Sequence, residues 1–231
     1  MKTIGLIGGM SWESTIEYYR LINIGIKERL GGLHSAKVVL WSFNFDEIVK
    51  LQNTGNWEEA TAKMLEAGKA LRLAGADVLL ICTNTMHLMA EQVEEFSALP
   101  LIHIADVTAA QVKHQGYKKI ALLATRFTME QDFYRERFTD RYQLEVMIPE
   151  AEERLSIHQV IYQELCKGIV REETRLLFKE IIHKMRLRGA EAVVLGCTEI
   201  GLLISQKDVE IPLFDTTILH AEAAVDFALA E

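Results

Sequence analysis

The sequence predicts an α/β protein of two pseudosymmetric, doubly wound domains, with parallel-rich sheets and an active site in the cleft between them. Three internal matches point there. Gly75-Ala76-Asp77-Val78-Leu79-Leu80-Ile81-Cys82-Thr83-Asn84 reads like Gly189-Ala190-Glu191-Ala192-Val193-Val194-Leu195-Gly196-Cys197-Thr198, at an offset of 114 (189 − 75). Lys119-Ile120-Ala121-Leu122-Leu123-Ala124 resembles Thr3-Ile4-Gly5-Leu6-Ile7-Gly8, at an offset of 116 (120 − 4). Ile211-Pro212-Leu213-Phe214 resembles Leu99-Pro100-Leu101-Ile102, at an offset of 112 (212 − 100). Three matches at nearly one offset mark a duplicated unit. A short apolar run after Gly-Ala-acid is the pattern of a buried parallel strand. Strands that alternate with helical stretches imply sheets covered on both faces. Ligands of open α/β sheets bind beyond the carboxyl ends of the strands. Two such ends, one per half, can face one cleft and each present one reactive group.

The elements follow in order. Thr3 to Ile7 is a strand, and Gly8-Gly9 turns the chain into a helix from about Ser11 to Leu30. Ser11 is a suitable N-cap, Glu13 in the first turn favours the helix dipole, and Gly31-Gly32 ends the helix. Ala36 to Ser42 is strand-like, and Asn56 to Leu73 has helical periodicity and strong helix formers. The Gly75 strand comes next, then a helix over roughly His87 to Phe96, a short strand at Pro100 to His103 and a helix from about Asp106. The second half repeats this order. Its stretch Glu130 to Arg141 reads as a solvated helix face with Phe133 and Phe138 inward, and Ile161 to Lys167 is helix-like. A C-terminal helix from about Thr216 to Ala230 is expected to pack back on the first domain. The expected domains are therefore 1–104 with 208–231, and 105–207.

Composition narrows the function. Apolar content of 49% and charged content of 25% are those of a globular chain, and 25 basic against 33 acidic residues leave a net charge of −8. Such an acidic chain, with no basic run, argues against nucleic-acid or anionic-membrane partners. No apolar stretch is long enough to span a bilayer, and the N-terminus enters a strand with no signal-peptide pattern. Three scattered cysteines fit a reducing cytoplasm rather than a disulfide framework, and no Cys-His spacing suits zinc. The expected partner is a small molecule.

The repeat register pairs Cys82 with Gly196 and Thr83 with Cys197. Neighbours on an extended strand point to opposite sides. Thr83 and Cys197 are thus expected at the cleft, with Cys82 in the core. The segment Gly5 to Gly9 is not a Gly-x-Gly-x-x-Gly fingerprint, so dinucleotide binding is disfavoured. These glycines instead let Met10 and the turn backbone approach a small ligand. Thr125 and Thr128 occupy the matching turn of the second half, and Thr125 is a candidate carboxylate donor. Asn84, Thr85 and Thr198 are candidate donors to a developing negative charge. Glu199 is a candidate for the ligand's ammonium group, set against a plain role at a helix start. His220, near Asp215, is a candidate to tune Cys197, weighed evenly against a structural role, and Cys166 reads as a packing residue.

Three segments carry a family resemblance: Gly8-Gly9-Met10-Ser11-Trp12-Glu13, Cys82-Thr83-Asn84-Thr85-Met86-His87 and Gly196-Cys197-Thr198-Glu199. Together they resemble the cofactor-independent aspartate/glutamate racemase family, over both halves. The resemblance implies two cysteines, one per domain, flanking the substrate's α-carbon, one removing the Cα proton and the other returning one to the opposite face. It implies no pyridoxal cofactor and no metal, and a homodimer is common among such proteins. The usual first motif, Cys-Asn-Thr-x-His, aligns with Thr83-Asn84-Thr85-Met86-His87, so threonine stands where the first cysteine is expected. By the same resemblance Gln52 lies over the substrate, and the second-domain thiol acts on the L-enantiomer. The expected function is racemisation of aspartate and/or glutamate that favours L substrates, with Thr83 and Cys197 as the catalytic pair. The alternatives are a related hydantoin racemase or maleate isomerase, or a non-catalytic small-ligand binder.

Overall fold

The computed structural model describes residues 1–230. It divides into two compact units, Met1–His103 with His220–Glu231, and Ile104–Leu219; Glu231 itself lies outside the described residues.

The first unit opens with β1 (Ile4–Gly8), fully buried, and α1 (Trp12–Leu30). Ser11 caps α1 as its composition suggests: its side chain accepts the Ser14 N–H, and Gly31 at φ 72° ends the helix. The next elements are β2 (Val38–Ser42), α2 (Phe45–Thr54), α3 (Trp57–Leu73), β3 (Val78–Ile81) and α4 (Ala90–Ser97). The expected helix over His87 to Phe96 is two pieces, a 3₁₀ turn at Thr85–Met89 and then α4. The sheet is parallel in the order β2-β1-β3. A single parallel bridge, Leu79 to Leu101, adds a fourth position beside β3.

The second unit holds α5 (Ile104–His114), β4 (Lys119–Ala124), α6 (Arg126–Glu130), α7 (Asp132–Glu136), β5 (Glu145–Met147), α8 (Ala151–Gln163), α9 (Glu172–Leu187), β6 (Ala192–Gly196), α10 (Ile200–Leu203) and β7 (Leu213–Asp215). Its sheet is parallel in the order β5-β4-β6-β7. α11 (Thr216–Leu229) starts in this unit, and from His220 onward it belongs to the first. There Ala221, Ala224, Val225 and Ala228 pack with Ile4, Tyr18 and Leu80. The domain boundary therefore needs a correction. Residues 208–219 were assigned to the first domain by sequence, but β7 hydrogen-bonds along β6, and these residues cluster with the second unit.

The duplication persists down to single hydrogen bonds. Asp77 N donates to Thr3 O and Glu191 N to Lys119 O, both at 2.8 Å. Leu79 N donates to Pro100 O and Val193 N to Pro212 O, both at 2.9 Å. Ile7 pairs with Ile81 as Leu123 pairs with Leu195. Next along, Cys82 matches Gly196 and Thr83 matches Cys197, the register read from the sequence. Among the described residues no helix is long and apolar enough to cross a membrane.

Candidate functional site

In the first unit the candidate residues collect beyond the ends of β1 and β3. Gly9 makes the first turn possible. Its φ is 79°, and a Cβ there would lie 2.4 Å from the backbone N and O of Phe43. The chain then brings Met10 into the buried cluster that also holds Ile48 and Met86. Gln52 lies on α2, buried, with its Nε2 donating to Met86 Sδ at 3.3 Å. Met10 thus shares a core cluster with Met86, which Gln52 contacts and which lies two residues past Asn84. Asn84 and Thr85 are buried, while Thr83 is half-buried.

Cys82 and Thr83 differ in burial. Cys82 is fully buried with Tyr18 and Leu80, and burial pushes its thiol well above the ordinary range. Its carbonyl accepts the Ser14 hydroxyl at 3.2 Å. The Thr83 carbonyl accepts from His87 Nδ1 at 2.8 Å, which fixes the proton on that ring nitrogen. His87 lies against the His103 ring, with centroids 4.6 Å apart. His220 is fully buried and bonded at both nitrogens: Nε2 donates to Ile102 O at 2.7 Å, and Nδ1 accepts from the Tyr18 hydroxyl at 2.8 Å. Burial pushes its pKa down to about 4, so it stays neutral. The possible role of His220 in tuning Cys197 gives way to a structural one, because both nitrogens serve the interior of the first unit.

In the second unit the groups beyond β4 and β6 form a connected network. Thr125 caps α6, its hydroxyl accepting the Thr128 N–H and lying 3.2 Å from the Thr128 hydroxyl. Arg126 N donates to His158 Nδ1 at 3.3 Å, and the His158 ring packs on Tyr162 with centroids 4.8 Å apart. Burial and then the Arg126 charge hold His158 below its ordinary value. Beyond β6, Cys197 is 7% exposed and Glu199 is 2% exposed. The Cys197 thiol donates to Glu199 Oε2 at 2.9 Å, and the Thr198 hydroxyl reaches the same oxygen at 2.9 Å. Cys166 donates to the other oxygen, Oε1, at 3.5 Å. Burial first, and the Glu199 charge second, raise the Cys197 thiol well above its ordinary value. Cys197, Thr198 and Cys166 thus all donate to the buried Glu199 side chain.

The structure links Cys197, Thr198 and Glu199 directly and places Thr125 at the adjacent turn of the same sheet, since Ala124 pairs with Gly196. Sequence reasoning did not single out His158 and Tyr162; Cys166, read as a packing residue, does pack against the core of the second unit and also reaches Glu199. Their spacing of four along α8 and the turn after it was a usable signal, because residues four apart share a helix face.

Residues 7–224 match the Asp/Glu/Hydantoin racemase family. A candidate Asp/Glu racemase from Yersinia pestis is 50% identical, with both chains fully covered and a TM-score of 0.92. An aspartate racemase homologue from Pyrococcus horikoshii OT3 is 33% identical, again with both chains fully covered, at a TM-score of 0.84. The broad specificity amino-acid racemase RacX of Bacillus subtilis is 21% identical over 181 residues, covering 75% of this chain and 74% of that protein. The chain belongs to the Asp/Glu/hydantoin racemase family and is an enzyme of the amino-acid racemase class.

Proposed function

We propose that this racemase acts on aspartate and/or glutamate, removing and returning the Cα proton with Cys197 on one face and Thr83, or a water it holds, on the other. The observation that carries the reading is the 2.9 Å contact of the Cys197 thiol with the buried Glu199 carboxylate. A buried thiol of raised pKa is a poor base by itself. A carboxylate in hydrogen-bond reach of its proton supplies the missing acceptor.

The steps balance. The Cys197 S–H bond breaks and its proton passes to Glu199, leaving a thiolate. The thiolate takes the Cα proton, and the electron pair left at Cα spreads onto the substrate's α-carboxylate. An O–H of Thr83, or of its water, delivers a proton to the opposite face. The proton held by Glu199 then returns, through solvent, to that oxygen. Met10, Gln52, Asn84, Thr85, Thr125 and Thr198 are the proposed substrate contacts. Glu199 adds to its expected substrate contact the role of proton acceptor.

The account gives the two faces unequal power. A thiol is far more acidic than a hydroxyl, so Cys197 gives up its proton and becomes an anionic base far more readily than Thr83. The L-enantiomer, assigned to Cys197 by the family resemblance, is the favoured starting material. The test is Cα deuterium uptake in heavy water from L-Asp and L-Glu, beside substituted hydantoins and maleate. Uptake into L-Asp or L-Glu supports the reading. Turnover of the hydantoins or maleate alone moves the chain to a related activity, and binding without any turnover makes it a small-ligand binder.

A further inference from the structure

We propose that the open edge of β2, with the apolar row on α1 beside it, is the surface on which a second copy of this chain docks about a two-fold axis. β2 is an edge strand: it pairs with β1 on one side, and its other side has no hydrogen-bond partner among the described residues. An open edge is a template for another strand, and proteins blunt theirs with short length, charge or proline. The second unit does so. Its equivalent edge, β5, is three residues long and begins with Glu145, ion-paired to Lys119 at 2.7 Å. β2 is five residues long, Val38-Val39-Leu40-Trp41-Ser42, with neither charge nor proline. Lys37 O accepts Ile4 N and Phe43 N donates to Gly8 O, so by alternation Val38, Leu40 and Ser42 turn their N–H and C=O groups outward. An antiparallel copy about an axis at Leu40 sets Val38 opposite Ser42 and Leu40 opposite its own equivalent, and every outward group finds a partner. Val39 then lies opposite Trp41, a favourable aromatic–β-branched pair, and no charge meets a like charge. The strand is thus complementary to itself, as a two-fold interface requires.

Side chains widen the contact. Trp12, Ile16 and Tyr19 share one face of α1, and each is more than half exposed. Next on that face, Asn23 accepts the Ala36 N–H at 3.0 Å, just ahead of β2. Leu40 meets the same helix over Gly8, where an added Cβ would lie 3.1 Å from Leu40 Cδ1 and 2.5 Å from Thr15 Cγ2. Row and edge are therefore continuous. Trp12, Tyr19 and Trp41 are exposed enough to offer roughly 300 Å² of aromatic surface, at about 200 Å² for a whole aromatic side chain, and exposed Ile16 and Leu40 add to it. A standard interface buries about 800 Å² per partner, of which a little over half is apolar. The patch supplies most of that apolar share.

The test is the mass of the whole chain by sedimentation equilibrium over a dilution series. The parent is expected to approach twice the 26.2 kDa of one chain. Leu40→Lys opposes like charges at the axis and should halve the mass. Ile16→Lys, on the exposed row, should do the same, and it carries the test if circular dichroism shows the first variant unfolded. Leu176→Lys, at an exposed position on α9, should keep the parent mass. The amides of Val38, Leu40 and Ser42 should exchange about tenfold more slowly in the dimer than in the Ile16→Lys monomer. A parent that stays at the mass of one chain overturns the proposal and leaves the face to a different partner. A dimer that survives both folded variants, a loss of mass in Leu176→Lys, or equal exchange of the three amides also overturns it.

Discussion

At the end of β3 a buried thiol, Cys82, precedes a half-buried hydroxyl, Thr83; at the end of β6 a glycine, Gly196, precedes a thiol, Cys197. The backbone hydrogen bonds leading to these ends are duplicated, and the side chains at the ends differ. At the first position the contrast is one of space. Cys82 fits among Tyr18, Leu80 and Ala221, whereas a Cβ on Gly196 would lie 2.6 Å from Leu122 Cδ1 and 3.1 Å from Ala124 Cβ. At the second position the contrast is one of acid–base partners. The register that pairs Thr83 with Cys197 also pairs Thr85 with Glu199 (85 + 114 = 199). The β6 end therefore couples a thiol to a carboxylate, and the β3 end has a hydroxyl and another hydroxyl. The Thr83 carbonyl is braced by His87 Nδ1. Under the proposed function, one duplicated scaffold presents one end to take a proton and one to relay it.

Cys197→Ser removes the equipped end and is expected to have the largest effect, a fall in L-start Cα exchange of about a thousandfold. Thermal-shift binding of the same substrate should change little, because the thiol's role is in proton transfer. Exchange within tenfold of the parent would break the contrast between the two ends. Thr83→Cys should equip the other end. D-start exchange is expected to rise about a hundredfold, read by deuterium uptake into D-Asp or D-Glu. An unchanged D-start rate would mean that position 83 does not meet the substrate.

Much of this arrangement could be read from the chain before folding. The apolar runs of β1, β3, β4 and β6 are short, bounded by glycine and matched at a fixed offset, which left little room for another assignment. Ser11 and Gly31 marked the ends of α1 through local capping chemistry. What failed to show was whatever depends on distant partners. Residues 208–219 carry no local mark of their sheet; β7 belongs to the second unit only because β6 hydrogen-bonds to it. Gln52 looked like part of a polar stretch, yet α2 buries it against Met86. The Cys166–Glu199 contact joins segments 33 residues apart, and no spacing rule announces it.

His220, buried between Tyr18 and Ile102, makes a smaller, separate prediction. The pKa of His220 is near 4 in the folded chain, below the ordinary value of 6.5. Between these values the unfolded chain binds a proton that the folded one refuses, so falling pH favours unfolding. The first unit is expected to lose about 1 to 2 kcal/mol between about pH 6 and pH 4.5. Amide hydrogen exchange in β1 and β3 reads this loss, and His220→Gln should flatten the slope. An equal slope in the variant would assign the acid sensitivity to other groups.

Cys82→Ser should have the smallest effect on catalysis, leaving L-start exchange within about twofold of the parent while costing about 1 to 2 kcal/mol for a hydroxyl in an apolar core. Denaturant unfolding and the exchange assay separate the two. A large catalytic loss in a folded variant would mean that the reactive group of the β3 end is the thiol and not its neighbour.

The inequality of the two strand ends is tested most directly in the parent chain. Initial rates of Cα deuterium uptake, measured with L and D enantiomers supplied separately, should favour the L substrate by about a hundredfold. Equal rates from the two enantiomers would contradict the account.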